Sequence, residues 1–201
     1  MSSIVIAGNT SGAITIAAPA EAGLNTLTLP ASTGTVALTS DIPAPVAVVQ
    51  THLITASSQS LTADTTTNMT GLSATITPST TSKRIKVSVR WAGEFSVDSH
   101  NCVFGIKRGS TAVGNPAAVG LRSVGITTSM IGFYSVNNDS TPETAIYSYV
   151  DSPATTSATT YHATVTHRAA VTVYHNQTVD TTTNSDSRER LTSSITLEEV
   201  D

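Results

Sequence analysis

Five histidines, a single cysteine and fourteen acidic residues are the side chains of this 201-residue chain that could do chemistry. His162 and His175 come first, because a hairpin would bring them near each other. Tyr161 to Thr166 and Val171 to His175 both alternate, which predicts two strands turning at Arg168-Ala169. Opposing the histidines sets Val165 against Thr172 and Val171 against Thr166, and so mixes the faces. A slip of one residue pairs Val165 with Val171 and Ala163 with Val173, keeping apolar with apolar. His175 then opposes Tyr161, the two histidines point to opposite faces, and no metal site is expected from them.

The remaining candidates are weaker. Gly120-Leu-Arg-Ser123-Val-Gly125 misses the GxSxG nucleophile elbow by one residue and lacks the strand-to-helix setting that exposes such a serine. Asp180, Asn184 and Asp186 share a polar loop, but without the glycine and closing glutamate of a dedicated calcium loop. Cys102, beside Val103 and Phe104, reads as a small buried hydrophobe and not as an activated thiol. No glycine-rich cradle precedes a helix, because helical periodicity is absent throughout. The terminal Glu198-Glu199-Val200-Asp201 matches a chaperone docking tail in type, but continues the alternation of Leu191, Ile195 and Leu197 as the end of a strand. These residues assemble into no enzyme, cofactor or metal centre.

Charge narrows the partners. Charged residues are 12% of the chain, about half the usual share, and the net charge is −4. All 10 Lys and Arg lie between Lys83 and Arg190, so the first 82 residues carry no cation for a phosphate backbone or an anionic lipid. The same lack argues against a secretory signal peptide, and no apolar run approaches the ~20 residues of a membrane span. Neither nucleic acid nor membrane is expected as a partner. Ser and Thr make up about three residues in ten, a bias toward half-buried pleated surface.

The elements that would position any site are strands. Lys83 to Phe95 is the clearest, with Ile85, Val87, Val89 and Trp91 alternating with Lys86, Ser88 and Arg90. Val46 to Ile54, a face of Leu72, Ala74 and Ile76 after a Ser/Thr/Asp-rich turn, and Cys102 to Arg108 are further strands. Ser129 to Val136 and Thr144 to Val150 are apolar on both faces. Something must cover the second face, either a subunit interface or another sheet layer. The interface is the economical choice, which nominates Phe133, Tyr134, Tyr147 and Tyr149. Eight or so strands with evenly spaced turn signals predict an all-β, antiparallel two-sheet sandwich of jelly-roll type over residues 46–201.

Residues 1–45 read differently. From Gly12 to Leu38, short apolar runs carry Ile14 and Ile16, Leu27 and Leu29, and Val36 and Leu38, broken by Gly23, Pro30 and Gly34. Strands with one or two aliphatics each cannot stand alone. They need sister chains or another protein's sheet edge, so these six residues are the expected anchor, followed by a stiff hinge at Pro43 and Pro45. The stretch AGLNTLTLPASTGTVALTSDI resembles a segment near the start of bacteriophage virion proteins: tail-fibre pieces, head fibres and capsid decoration proteins. The resemblance implies a homotrimer with a jelly-roll head, bound to a major capsid protein or another virion protein. Its place would be the virion, assembled in the bacterial cytoplasm. Decoration of the capsid is the favoured role, and a fibre tip binding a host receptor is the alternative.

Overall fold

A computed structural model describes residues 46–53, 55–97, 101–129, 139–183 and 188–201 in full, and the backbone of Ser3–Ala7 and Ala13–Ala17. The chain divides into two compact units, Met1–Ala44 and Pro45–Asp201. In the first unit, β1 (Ser3–Ala7) and β2 (Ala13–Ala17) pair antiparallel, with Ile4 opposite Ile16 and Ile6 opposite Ile14.

The second unit is all-β among its described residues. Its strands are β3 (Val48–Leu53), β4 (Ser57–Leu61), β5 (Thr67–Ile76), β6 (Arg84–Phe95), β7 (Cys102–Arg108), β8 (Thr111–Val113), β9 (Glu143–Asp151), β10 (Thr159–His167), β11 (Val171–His175) and β12 (Ser193–Val200). One sheet runs β5-β10-β7-β8. The other is built on β6, with β9 along one side and β12 and β11 along the other. Ile85 pairs with both Glu199 and Asp151, and Gly93 with both His175 and Glu143, so β12 and β11 lie end to end on the same side. They pair outward with β3 and β4 respectively. Six strands thus fill four columns, in the order β3/β4, β12/β11, β6, β9. With β5-β10-β7-β8 opposite, and the chain crossing between sheets at every step except within the β3/β4 and β11/β12 columns and at the β7–β8 hairpin, this is the eight-column order of a jelly roll.

The sandwich holds one core. Ile85, Val87, Val89, Trp91, Phe95, Ile195 and Leu197 are buried from the β6 sheet, and Leu72, Ile76, Phe104, Ile106, Tyr161 and Val165 from the other. The alternation read along Lys83 to Phe95 is obeyed, with Lys86 and Arg90 exposed. Beyond Trp91 both faces of β6 close over, taking in Ala92 and Glu94. Leu72, Ala74 and Ile76 line one inward face, as expected.

Two expectations are corrected. Tyr161–Thr166 and Val171–His175 are not a hairpin. β10 pairs with β5 and β7, whereas β11 pairs with β4 and β6 in the opposite sheet. The three residues after His167 carry the chain across the sandwich, and both strands keep their buried alternate residues by facing one core. Val165 pairs with Phe104 and Val171 with Leu61, and both are buried. The Ser/Thr/Asp-rich turn before Leu72 also contains a strand, β4, which escapes apolar patterning because only Leu61 in it is fully buried.

Candidate functional site

The expected anchor residues divide. Ile14 and Ile16 lie in β2, opposite Ile6 and Ile4. Leu27, Leu29, Val36 and Leu38 lie outside the described residues, as does the proline hinge. Of the expected interface residues, Phe133 and Tyr134 are also outside them. Tyr147 is corrected: it is 7% exposed, and its hydroxyl donates to the Gly105 carbonyl at 3.1 Å. Its ring sits 6.3 Å from that of Phe104, so it belongs to the protomer's own core. Tyr149 is 37% exposed and packs over Gly114, where a β-carbon would meet its ring at 2.7 Å. Beside it on β9, Ile146 and Val150 point to solvent. The outward face of β9, with Ile146 and Val150, is therefore open in the protomer, whereas Tyr149 shares the other face with Tyr147.

The chemistry candidates come to rest as structural groups. His162 is on β10 and His175 on β11, in opposite sheets. Among the described residues no three His, Cys, Asp or Glu side chains are grouped to hold a metal. Cys102 is buried against the Ser129 hydroxyl, and burial pushes its thiol up, away from reactivity. Asp180 accepts from the Thr182 amide and hydroxyl and from Arg188 at 2.8 Å, which together lower its carboxyl to about 2. Its proposed calcium partners Asn184 and Asp186 lie outside the described residues. Ser123 stands in the loop between β8 and β9, beside Asp64, Arg122 and Arg168 and without a histidine.

At the carboxyl end, Glu199 is clamped by the Ser79 amide and hydroxyl, each at 2.6 Å, which holds its carboxyl below the usual range. Asp201 bonds Lys83 and Arg84. The last residues close the sheet, as their alternation predicts.

Polar groups that composition did not single out fix the architecture. Glu94 is fully buried. One of its carboxylate oxygens accepts from the Thr141 amide and hydroxyl at 2.9 and 2.6 Å, and the other from the Val179 amide at 2.6 Å. One side chain thus gathers two loops. Where β11 ends and β12 begins, Asn176 turns in the left-handed region and donates to the Leu53 carbonyl at 2.6 Å. Ser193 donates to its side-chain carbonyl, also at 2.6 Å. Asp151 takes both Arg108 and the Tyr161 hydroxyl, at 2.8 and 2.7 Å.

His175 is also fully buried, edge-on to the Trp91 ring. Trp91 Nε1, which can only donate, bonds its Nδ1 at 3.0 Å. His175 Nε2 therefore carries the hydrogen and donates to Gln59 Oε1 at 3.1 Å. Burial lowers this imidazole to about 4. What signal could have found it is the position itself: a histidine at an inward place of an alternating strand must find partners in the core.

No protein-family model matches the chain, and no curated protein matches it.

Proposed function

We propose that the chain is a non-enzymatic, homotrimeric bacteriophage virion protein, most specifically a capsid decoration protein held through its N-terminal strands. The observation that carries this reading is the division into two units: a jelly-roll head, an architecture used by viral capsid and lectin domains, and a small unit whose described strands form a two-stranded sheet. A two-stranded sheet is marginal by itself, so the small unit gains most by joining something else. The phage-like AGLNTLTLPASTGTVALTSDI segment falls in that unit. The exposed Ile146 and Val150 on the outward face of β9 suit a contact between heads. In this role the protein reinforces a lattice: the strands add to a capsid or sister-chain sheet edge, and the heads stand above it.

A second reading, a fibre tip for a host-surface glycan, draws on the cleft lined by Thr178, Asp180, Thr182, Arg188 and Arg190, whose hydroxyls and charges suit sugar hydroxyl groups. Counting copies per particle separates the two. Hundreds are expected for decoration, and a few tens at most would establish the fibre tip instead. Sedimentation of the purified chain should give a trimer, and a clean monomer at micromolar concentration would remove the three-fold assembly from the proposal.

A further inference from the structure

We infer that His175 is an acid-sensitive latch, holding the β4 segment against the sandwich while neutral and releasing it when protonated. A chain of hydrogen bonds of fixed direction holds the imidazole in the core. Gln59 Nε2 donates to the Asn68 carbonyl at 2.9 Å, and the Thr70 amide donates to Gln59 Oε1 at 3.1 Å. The Gln59 amide is thereby oriented by a backbone acceptor on one side and a backbone donor on the other. Its oxygen also takes the His175 Nε2 hydrogen, and His175 Nδ1 takes the Trp91 hydrogen. The network has one acceptor site on His175, and Trp91 fills it. A second proton on the imidazole would have to sit on Nδ1, facing an indole hydrogen across 3.0 Å. Two donors then face each other in a buried site, and one of them must move.

Both hydrogen bonds of His175 go to neutral groups, Trp91 and Gln59. β4 and β5 present neutral Gln59, Asn68 and Thr70, and β6 presents Trp91. Two acids stand near in register: Glu94 pairs with Tyr174 and is bound to Thr141 and Val179, and the buried Glu143 pairs with Gly93, one strand beyond the residue that His175 itself opposes. The other buried titratable groups among the described residues are Cys102, Tyr147, Asp151, Tyr161, His167 and Glu199. Tyr147 and Tyr161 are bonded to Gly105 and Asp151, and His167 stacks on Phe95 with its Nδ1 taken by the Ala169 amide. Burial disfavours the charged form of His175.

The element that gives way is β4. Trp91 is at the centre of the core, in ring contact with Phe95 and Phe104 at 5.5 and 5.0 Å, and cannot leave without the fold. β4 is a five-residue outer segment paired only with β11, and of its residues only Leu61 is fully buried. Lifting it exposes His175 Nε2 to water and frees the ring to turn off Trp91. Segments with few buried contacts open at the lowest cost.

The test uses the full chain. Imidazole nitrogen shifts report the tautomer and titration of His175, and amide hydrogen exchange, corrected for intrinsic rate, reports β4 against β7. The expected result is the Nε2–H tautomer at pH 7, with β4 exchange rising by up to about tenfold per pH unit below 6.5 while β7 is unchanged. A Gln59→Glu variant places a carboxylate at the acceptor position and gives up the bond to the Asn68 carbonyl, so β4 exchange rises at neutral pH, while the imidazolium gains a partner and the pH dependence of β4 should flatten. Since Gln59 is only half-buried, this variant avoids emptying the core. A His175 that titrates at its ordinary value without any change in β4 overturns the latch. So do β4 and β7 amides that open together, or a Gln59→Glu protein whose acid response matches the parent.

Discussion

Trp91 shows what one side chain in this head has to do. Its ring contacts Phe95 and Phe104, and its only polar atom satisfies His175, so it joins both sheets and the buried network at once. Trp91→Ala should lower unfolding free energy by ~3–5 kcal/mol, read from denaturant midpoints, and an unchanged midpoint would contradict the central place given to it. His175 sets a pH dependence on the same scale. Its folded value is about 4 against an ordinary 6.5, so between these the unfolded chain binds more protons. The stability it contributes is therefore complete above pH 6.5 and is lost as pH falls toward 4, on the order of 3 kcal/mol in all. Thermal melts across that range should fall with acid, and a His175→Gln chain, if it melts with the same acid dependence, would assign the loss to other groups. The inward place of Trp91 was legible from alternation along β6. The role of His175 was not, because its partners Trp91 and Gln59 are 84 and 116 residues away in sequence.

β6 carries the fold at the level of elements, since β9, β12 and β11 all pair with it. The point of greatest crowding is Gly93, paired on one side with His175 and on the other with Glu143. A β-carbon there would lie 2.0 Å from the Tyr174 carbonyl oxygen and 2.8 Å from the Trp91 ring. Backbone cannot yield as a side-chain tip can, so Gly93→Ala should cost more than about 4 kcal/mol and deplete soluble protein. Gly109, with open space around the same position, is the control for added bulk, though its positive φ brings a strain of its own. A Gly93→Ala protein as stable as the parent would mean that the ladders to β9 and β11 are not both formed. Strands with apolar alternation, such as β5, β6, β7 and β12, could be read directly. β4, Ser-Ser-Gln-Ser-Leu, could not, because the neighbouring ladder and not its own side chains makes it a strand. Pairing was misread for β10 and β11 because alternation states which residues face the core and is silent on which sheet they face it from.

At the scale of the whole molecule, the division near residue 44 yields a prediction about both halves. Among the described residues every ladder of the head is formed within 45–201, and the β1–β2 pair is a separate sheet. A chain lacking residues 1–44 should therefore fold, with the melting temperature of the parent head. The N-terminal strands have the opposite energetics. Burying one aliphatic side chain is worth about 1.5–3 kcal/mol, while ordering each residue costs about 1–2 kcal/mol in backbone entropy. With one or two aliphatics per strand, the balance closes only when a partner sheet supplies a further ladder and a surface to bury against. Under the proposed role, the truncated head should lose its place on particles stripped of the protein, while the intact chain restores it. Rebinding should be nearly indifferent to salt, since the first 82 residues hold no basic side chain and the anchor's acids are only Glu21 and Asp41. Measuring occupancy of intact and truncated chains at low and high salt decides the matter. Full occupancy by the truncated head would move the attachment into the jelly roll, and occupancy of the intact chain that falls steeply with salt would make the contact one between charged surfaces.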